Sequence, residues 1–206
     1  MALHGNLTQS KRSEIFSTFK SYNCLKEKQT ICLLCTDVAA RGLDVPDVDW
    51  VLHYDLPQNS DTYIHRIGRC ARDMCSDQFG QSLLVFNPWE TSFIDILKNK
   101  KIDLREIIFE NDELPNIDEK YFELVQSNTE LKTLAQSALK GYIKTYLSRQ
   151  DKQVFDPTKL KISEICQNFG FQSSPSNDLE VQFNRSIKKL KKKSLKLARK
   201  TKYKYI

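Results

Sequence analysis

The stretch Thr36-Asp37-Val38-Ala39-Ala40-Arg41-Gly42-Leu43-Asp44 decides the fold, because it follows directly on the apolar run Ile31 to Cys35. A short apolar run that ends in a polar turn is typical of a buried strand in a parallel sheet. Open parallel sheets bind their ligands at the carboxyl ends of the strands. We therefore expect a binding site where this strand ends.

The side chains of the stretch suit a polar ligand. Thr36 offers a hydroxyl, Arg41 offers a fork of hydrogen-bond donors, and Gly42 permits a tight bend. Asp44 can accept hydrogen bonds from sugar hydroxyls. Each residue also has a plain structural explanation, since Asp37 could cap a short helix and Arg41 could pair with a neighbouring carboxylate. The stretch alone leaves both interpretations open.

Short apolar runs alternate with helical patterns through the first hundred residues, which is typical of βαβ units around a parallel sheet. The predicted strands are Thr30 to Thr36, Trp50 to Tyr54 and Gln81 to Phe86, and the predicted helices are Gln9 to Tyr22, a short one through Gly42, Asp61 to Arg72 and Glu90 to Lys98. Such sheets usually have about five or six strands, and Met1 to Gly5 has the pattern of the tail of a further strand. The fold class is therefore α/β, with a partial parallel sheet whose first strands are missing.

Helical patterns take over after about residue 114. The predicted helices are Asp118 to Gln126, Glu130 to Ser148 and Ser163 to Phe169, and the expected core of the second one is Leu134, Ala138, Tyr142 and Tyr146. A polar breaker between Phe109 and Pro115 marks a boundary. The predicted domains are residues 1–110, a helical module at 111–180 and a basic tail at 181–206.

The basic tail concentrates the charge of the chain. Residues 185–206 hold eleven lysines and arginines and no acidic residue, whereas the other 184 residues hold 21 basic and 26 acidic ones. Ile187, Leu190, Leu195 and Leu197 interleave with the lysines at a loosely helical spacing. The phosphate backbone of a nucleic acid is the favoured partner of this tail, and a solvated helix or a nuclear import signal is the alternative.

Composition excludes several classes of protein. With 40% hydrophobic and 28% charged residues, six glycines and six prolines, the 206-residue chain is predicted to be globular rather than disordered, collagen-like or rich in disulfides. No apolar run approaches the roughly 20 residues of a membrane span, and no signal peptide is visible. No membrane partner is expected.

Six cysteines include the pair Cys32 and Cys35, which has the CxxC spacing of metal and redox sites. Residues three apart on a strand point to opposite faces, so two such thiolates cannot easily hold one ion. Small buried thiols in a reducing compartment are the favoured interpretation, ahead of a metal site or a disulfide.

A second polar cluster, Tyr63 to Arg72, holds the arginines Arg66, Arg69 and Arg72 in a stretch with a helical pattern. Arg69 and Arg72 are three residues apart, so in a helix they share a face, as a clamp on one polyanion requires. A positioned guanidinium stabilises the charge that phosphoryl transfer spreads over phosphate oxygens. The alternative is that these arginines pair with distant acidic residues.

Three motifs carry a resemblance to a known family. Thr36 to Asp44 and the HRIGR of His65 to Arg69 resemble motifs V and VI of the DEAD-box RNA helicases, in the same order and spacing. HGNLTQSKR, from His4 to Arg12, resembles the RNA-contacting motif that precedes them. Further on, Asn99 to about Pro175 is similar to the helical extension of a ribosome-assembly branch of these helicases, of the Dbp-four and DEAD-box-ten type.

The resemblance implies a RecA-like domain that closes on another RecA-like domain around ATP, with RNA across both. Arg69 and Arg72 would be an arginine-finger pair, and His65 and Arg66 would couple to motifs of the partner domain. Nucleotide contacts would fall to Asp44 at the ribose and to Gly42, Arg69 and Arg72. Contacts to the RNA backbone would fall to Gly5, Gln9, Arg12, Thr36 and Arg41.

The sequence contains neither a GxxxxGK[ST] phosphate loop nor a DEAD motif. ATP with Mg²⁺ would therefore be held mainly by an N-terminal RecA-like domain outside this sequence, and we expect these 206 residues alone to be inactive. In a full-length parent the expected function is RNA-stimulated ATP hydrolysis with remodelling of RNA duplexes or ribonucleoprotein particles. The expected setting is pre-rRNA processing in the nucleolus of the nucleus, on pre-rRNA or snoRNA-containing particles. The alternative is a catalytically inactive, standalone RNA-binding or ribosome-assembly module.

Overall fold

The structure, a computed structural model, describes residues 1–22, 30–37, 48–70, 80–109, 115–175 and 177–202. The chain forms two compact units. The first comprises Met1–Pro88 with Ile96–Ile102, and the second comprises Trp89–Asp95 with Asp103–Ile206. The domain boundaries expected after residues 110 and 180 stay predictions.

The first unit alternates strands and helices, as predicted. Its strands are β1 (Ala2–Leu3), β2 (Leu34–Cys35), β3 (Trp50–His53) and β4 (Gln81–Leu84), and its helices are α1 (Gln9–Ser21), α2 (Ser60–Ile67) and the second half of α3 (Ser92–Asn99). Strand β1 pairs with β2 and β3 pairs with β4, both in parallel. Parallel pairing is thus confirmed, although the strands are shorter than predicted. The helix expected through Gly42 lies outside the described residues.

Helix α2 begins and ends earlier than its sequence pattern predicts. Its start is fixed by Asn59, whose side-chain oxygen accepts a hydrogen bond from Thr62 N at 2.8 Å. The helix stops at Ile67 because the following backbone is drawn to another segment: Val48 N donates to Arg69 O at 3.1 Å. Arg69 and Cys70 therefore do not continue the helix, and the rest of the stretch that was expected to be helical, up to Arg72, lies outside the described residues.

Strand β2 corrects the prediction of a buried strand. Leu34 is 68% exposed, and Cys32 and Cys35 are exposed free thiols. A strand is buried on both faces only when other elements cover both of them, and here β2 is a two-residue strand paired with β1 along one edge. The interpretation as small buried thiols is wrong for this pair, whereas Cys166 is fully buried.

Strand β3 has two different faces. His53 is 1% exposed on the inward face, which it shares with the half-buried Val51. Trp50, Leu52 and Tyr54 alternate with them and are 55%, 58% and 81% exposed. We call these three side chains the outer row of β3.

The second unit is helical, and its sequence pattern predicted helices α4 to α6 to within one residue. Helices α4 (Asp118–Ser127), α5 (Thr129–Ser148) and α6 (Ile162–Asn168) are followed by α7 (Asn177–Lys202). The side chain of Asn128 caps α5 by accepting a hydrogen bond from Leu131 N. None of the helices in the described part of the chain has the length and apolar character that a membrane span requires.

The inward face of α5 lies one residue away from the predicted one. Leu134 is 57% exposed and Ala138 is exposed, whereas the buried residues are Ala135, Leu139, Ile143 and Tyr146. The buried set recurs at intervals of three and four residues, as a helix face that packs on a core does, and it is apolar at every position but Tyr146. Only Tyr146 of the predicted core is fully buried, and Tyr142 is half-buried.

A buried polar network fixes Tyr146. Its hydroxyl donates to Glu90 Oε1 at 2.8 Å and accepts from Trp89 Nε1 at 2.9 Å. Burial raises the pKa of this phenol well above its ordinary value, so it stays a neutral donor. The network satisfies Glu90, which is only 3% exposed, and ties the start of the second unit to α5.

Candidate functional site

The carboxyl ends of β1 and β2 lie side by side. Leu3 is in register with Cys35, and Thr36 N donates to Leu3 O at 3.2 Å. The two segments that follow these strands, beginning at His4 and at Thr36, therefore leave the sheet at the same edge. This is the edge at which a parallel sheet presents ligand sites, and it carries two of the predicted motifs.

The loop between β1 and α1 is braced by Arg12. The Arg12 side chain donates from Nε to Leu7 O at 3.0 Å and from Nη2 to Gly5 O at 3.3 Å. A Cβ at Gly5 would have no atom within 4 Å, so the backbone at this position is open to a ligand. Gln9 is exposed in the first turn of α1. The structure thus brings Gly5, Gln9 and Arg12 together, with Arg12 as the residue that holds the loop.

Arg66 joins the ends of two further segments. Its Nε lies 2.7 Å from Asp37 Oδ1, and its Nη1 donates to Asp55 O at 3.2 Å. Asp37 follows β2 and Asp55 follows β3, so one guanidinium links the carboxyl ends of two strands. The sequence had suggested a helix cap for Asp37 and a contact with a partner domain for Arg66. In this chain the two residues pair with each other.

His53 lies behind this ion pair in the core of the first unit. Its ring stacks on Tyr63 with centroids 4.9 Å apart, and neither ring nitrogen has a hydrogen-bond partner among the residues that the structure describes. Burial, together with the positive charge of Arg66, lowers the pKa of His53 to about 4, against a smaller opposing effect of Asp37. The imidazole is therefore neutral at physiological pH.

Arg69 and His65 occupy different environments. Arg69 follows the helix C-cap Gly68, is half-buried, and has its carbonyl bonded to Val48 N. His65 is exposed in the last turn of α2. Arg69 lies beyond the end of helix α2, so the argument from helical spacing does not apply to it. Four predicted site residues lie outside the described residues: Arg41, Gly42, Asp44 and Arg72.

Sequence reasoning missed His53, Tyr63 and Asp55. The signal for His53 was the alternation of β3, which places it on the same side as Val51. The bond from Arg66 to the Asp55 carbonyl involves backbone, which no side-chain pattern reveals. Within the described ranges, no group of three or more His, Cys, Asp or Glu side chains is arranged to hold a metal ion.

Two protein families match parts of the chain. Residues 1–74 match the helicase conserved C-terminal domain, and residues 128–177 match the C-terminal extension of SPB4-like ATP-dependent rRNA helicases. The first match contains the whole site described above. The second lies in the helical unit.

Curated relatives match most of the chain. It is 40% identical over 181 residues to human ATP-dependent RNA helicase DDX18, covering 88% of this chain and 26% of that protein. It is 36% identical over 190 residues to ATP-dependent RNA helicase HAS1 of Pyricularia oryzae, covering 92% of this chain and 31% of that protein. These names specify a DDX18 and HAS1 type, a different pair from the Dbp-four and DEAD-box-ten type of the sequence resemblance. The chain spans between a quarter and a third of the length of these relatives.

The fold is similar to that of a solved DEAD-box helicase. The structure of Mss116 bound to single-stranded RNA and UDP-BeF superposes with a TM-score of 0.60 at 27% identity, covering 85% of this chain and 33% of that one. The likeness supports the α/β fold class with a RecA-like C-terminal domain. Together the two family matches, the relatives and the fold agree on one family.

Proposed function

Because this chain belongs, by its residues 1–74 and 128–177, to the DEAD-box ATP-dependent RNA helicases, we propose that it acts as the C-terminal part of such an enzyme. In the whole protein it would contribute one wall of an RNA site and positive charge at the phosphates of ATP. The activity of the parent would be RNA-stimulated ATP hydrolysis coupled to remodelling of RNA duplexes or ribonucleoprotein particles.

The meeting of motif-bearing segments at one sheet edge carries the proposal. Thr36 N is hydrogen-bonded to Leu3 O and Arg12 holds the Gly5 loop, while the backbone at Gly5 is open and the residues Gln9 and Thr36 are exposed. Such groups suit the phosphates and 2′-hydroxyls of an RNA backbone rather than base edges. RNA binding at this edge is therefore expected to depend little on sequence.

The chain would supply cationic groups to ATP rather than hold it. Arg69 and Arg72 would stabilise the charge on the γ-phosphate, while Gly42 and Asp44 would meet the rest of the nucleotide. Mg²⁺ and the phosphate cradle would come from an N-terminal RecA-like domain. We therefore expect no ATP turnover from these 206 residues on their own.

The setting that we propose is ribosome assembly. The extension family at residues 128–177 is described as that of an rRNA helicase. We infer that pre-rRNA or snoRNA-containing particles are the substrates and that the nucleolus is the site of action. The lysines and arginines of residues 185–206, within the basic tail, would add sequence-independent contacts to the same RNA.

The proposal is tested with a chimera in which this chain replaces the matched region of human DDX18. The chimera should hydrolyse ATP when RNA is added, and the chain alone should not. Arg69→Ala or Arg72→Ala in the chimera should lower turnover by roughly a thousand-fold with nucleotide binding largely intact. Arg105→Ala, which removes an exposed arginine between helices α3 and α4, is the matched control.

The outcomes separate the proposal from the alternative of an inactive RNA-binding module, which the absence of a phosphate loop favours. If the chain binds RNA, and the chimera also binds RNA but does not hydrolyse ATP, the result would support the inactive module. Hydrolysis by the chain alone would contradict our account of where ATP is held. Unchanged turnover in both arginine variants would remove them from the phosphate site.

A further inference from the structure

A cavity in the second unit has no part in the site described above. It has a volume of about 330 Å³ and lies among the end of α4, the start of α5 and the segment of residues 171–175. Its walls are formed by Phe122, Gln126, Lys132, Gln136, Phe171, Gln172, Ser173, Ser174 and Pro175. Pockets of this size are ordinary for small ligands or for one residue of a polymer.

One wall of the cavity is held in place by a glycine. Gly170 has a φ of 77°, and a Cβ at this position would lie 2.9 Å from Val125 Cβ. This close approach lets Gln126 Nε2 donate to Gly170 O at 2.7 Å, while Phe171 N donates to Cys166 O at 2.9 Å. Phe171 is only 5% exposed and anchors the segment that follows. The wall is therefore a fixed part of the fold.

The chemistry of the walls is that of a site for a hydrogen-bonding anion. Three amides and two hydroxyls surround Lys132, which is the one charged residue of the lining. Lys132 forms no ion pair with any residue that the structure describes, although it is half-buried. Carboxylates do not line the cavity, so nothing in its walls neutralises this ammonium.

The amides extend what such a site can recognise. A Gln side chain offers both donors and an acceptor, as the edge of a nucleobase does. The amide nitrogen of Gln126 donates a hydrogen bond to Gly170 O, and its amide oxygen has no partner within the described part of the chain. Gln136 lies one turn beyond Lys132 on α5, so its amide and the ammonium project from the same side of that helix.

We propose that this cavity binds one nucleotide of a single-stranded RNA, with Lys132 at a phosphate and the Gln126, Gln136 and Gln172 amides at the base or ribose. The proposal rests on the proposed function, since it assumes that RNA is the ligand of the parent. An acidic peptide is the less suitable ligand, because a run of carboxylates needs several cations and the lining offers one. The single ammonium beside several amides suits one phosphate next to one base.

The experiment compares two lysines of the same helix in the full 206-residue chain. Binding of a fluorescent oligouridylate is measured by anisotropy at two salt concentrations for Lys132→Glu and for Lys140→Glu, which makes the same charge change outside the cavity. We expect Lys132→Glu to weaken binding about ten-fold and Lys140→Glu less than three-fold. Gln136→Leu should weaken binding several-fold without a charge change, and Gln136→Asn should lose less.

Each outcome decides one question. Equal losses for the two lysine variants, with Gln136→Leu unchanged, would show diffuse electrostatics and would overturn the cavity as a site. Oligouridylate binding that persists unchanged in Lys132→Glu would overturn the cavity and leave the proposed RNA function standing. A wild-type chain that binds no RNA would overturn both. Displacement of the RNA from the cavity by polyglutamate at equal charge would assign the site to acidic protein segments instead. Circular dichroism of every variant checks that it is folded.

Discussion

Arg66 Nε lies 2.7 Å from Asp37 Oδ1, so a residue of helix α2 is paired with a residue two positions beyond the end of strand β2. Two of the family's motifs are thereby joined within one domain, through side chains that are 29 positions apart. The same guanidinium holds the Asp55 carbonyl, which extends the link to the end of β3. Loss of the pair should therefore be felt at two strand ends.

Asp37→Ala should lower the free energy of unfolding of the first unit by about 0.5 to 1 kcal/mol, because the pair is only partly shielded from water. Urea denaturation gives the change, and hydrogen exchange of the amides in residues 48–56 assigns it to the first unit. Glu14→Ala, which breaks the exposed Lys11 pair on α1, should cost less. Equal costs for the two variants would mean that the Arg66 link adds nothing beyond a surface ion pair.

Gly170→Ala should destabilise the second unit by about 2 to 4 kcal/mol. A side chain at positive φ costs about 1 kcal/mol or more, and the new Cβ would press on all three side-chain carbons of Val125. Gly141→Ala is the matched control, because a Cβ there meets no atom within 4 Å and alanine favours the interior of α5. The urea midpoint should fall for the first variant. For the second it should rise slightly, which corresponds to a gain of about 0.5 to 1 kcal/mol in the free energy of unfolding. A stable Gly170→Ala chain would show that the wall at residues 171–175 can shift.

The first unit should lose stability as the pH falls from about 6.5 to about 4. The unfolded chain protonates His53 near 6.5 and the folded chain only near 4, so the unfolded state binds more protons throughout this window. The loss attributable to His53 should approach about 3 kcal/mol at the lower end. Urea midpoints at pH 7, 5.5 and 4.5 should fall more steeply for the wild type than for His53→Leu. If the urea midpoints of the two proteins fall equally with pH, groups other than His53 cause the pH dependence.

Deleting residues 185–206 should weaken RNA binding and flatten its dependence on salt. For every phosphate of a single strand that the shortened chain no longer neutralises, the slope of log K against log salt should become shallower by about 0.7. Anisotropy titrations between about 50 and 200 mM salt measure the slope, and replacing the lysines of the segment by glutamine keeps its length as a control. If the slope of log K against log salt is unchanged, the tail would instead bind a protein partner or act as a nuclear import signal.

The sequence predicted most of the helices because their signals are local. Helices α4 to α6 follow from apolar spacing and from residues such as Asn128, which caps α5. The inward face of α5 was misjudged by one residue, since Leu134 and Ala135 are equally acceptable in a helical pattern and only packing separates them. Exposure of β2 was likewise invisible, because burial of an apolar strand depends on what covers it.

The site was predictable to the extent that motifs fix positions in the chain. Arg12 is bonded to the Gly5 carbonyl, and Thr36 is bonded to Leu3, but the assignment of Gly5, Arg12 and Thr36 to RNA contacts stays a prediction. Sequence could not pair Asp37 with Arg66, because contacts between distant segments depend on how strands are set side by side. Alternation along β3 could place His53 on the same face as Val51, but it could not show which face of the strand is covered, so the burial and the neutral state of His53 needed the structure.

The outer row of β3 has a practical consequence for work with the isolated chain. Trp50, Leu52 and Tyr54 form a continuous apolar strip on the surface, and exposed strips of this kind promote adhesion between molecules. Kosmotropic salts such as sulfate strengthen such adhesion, while any salt weakens the grip of lysines on phosphate. For the RNA binding proposed above, sulfate is therefore expected both to weaken binding and to promote aggregation, and turbidity should be recorded with every binding curve measured in sulfate.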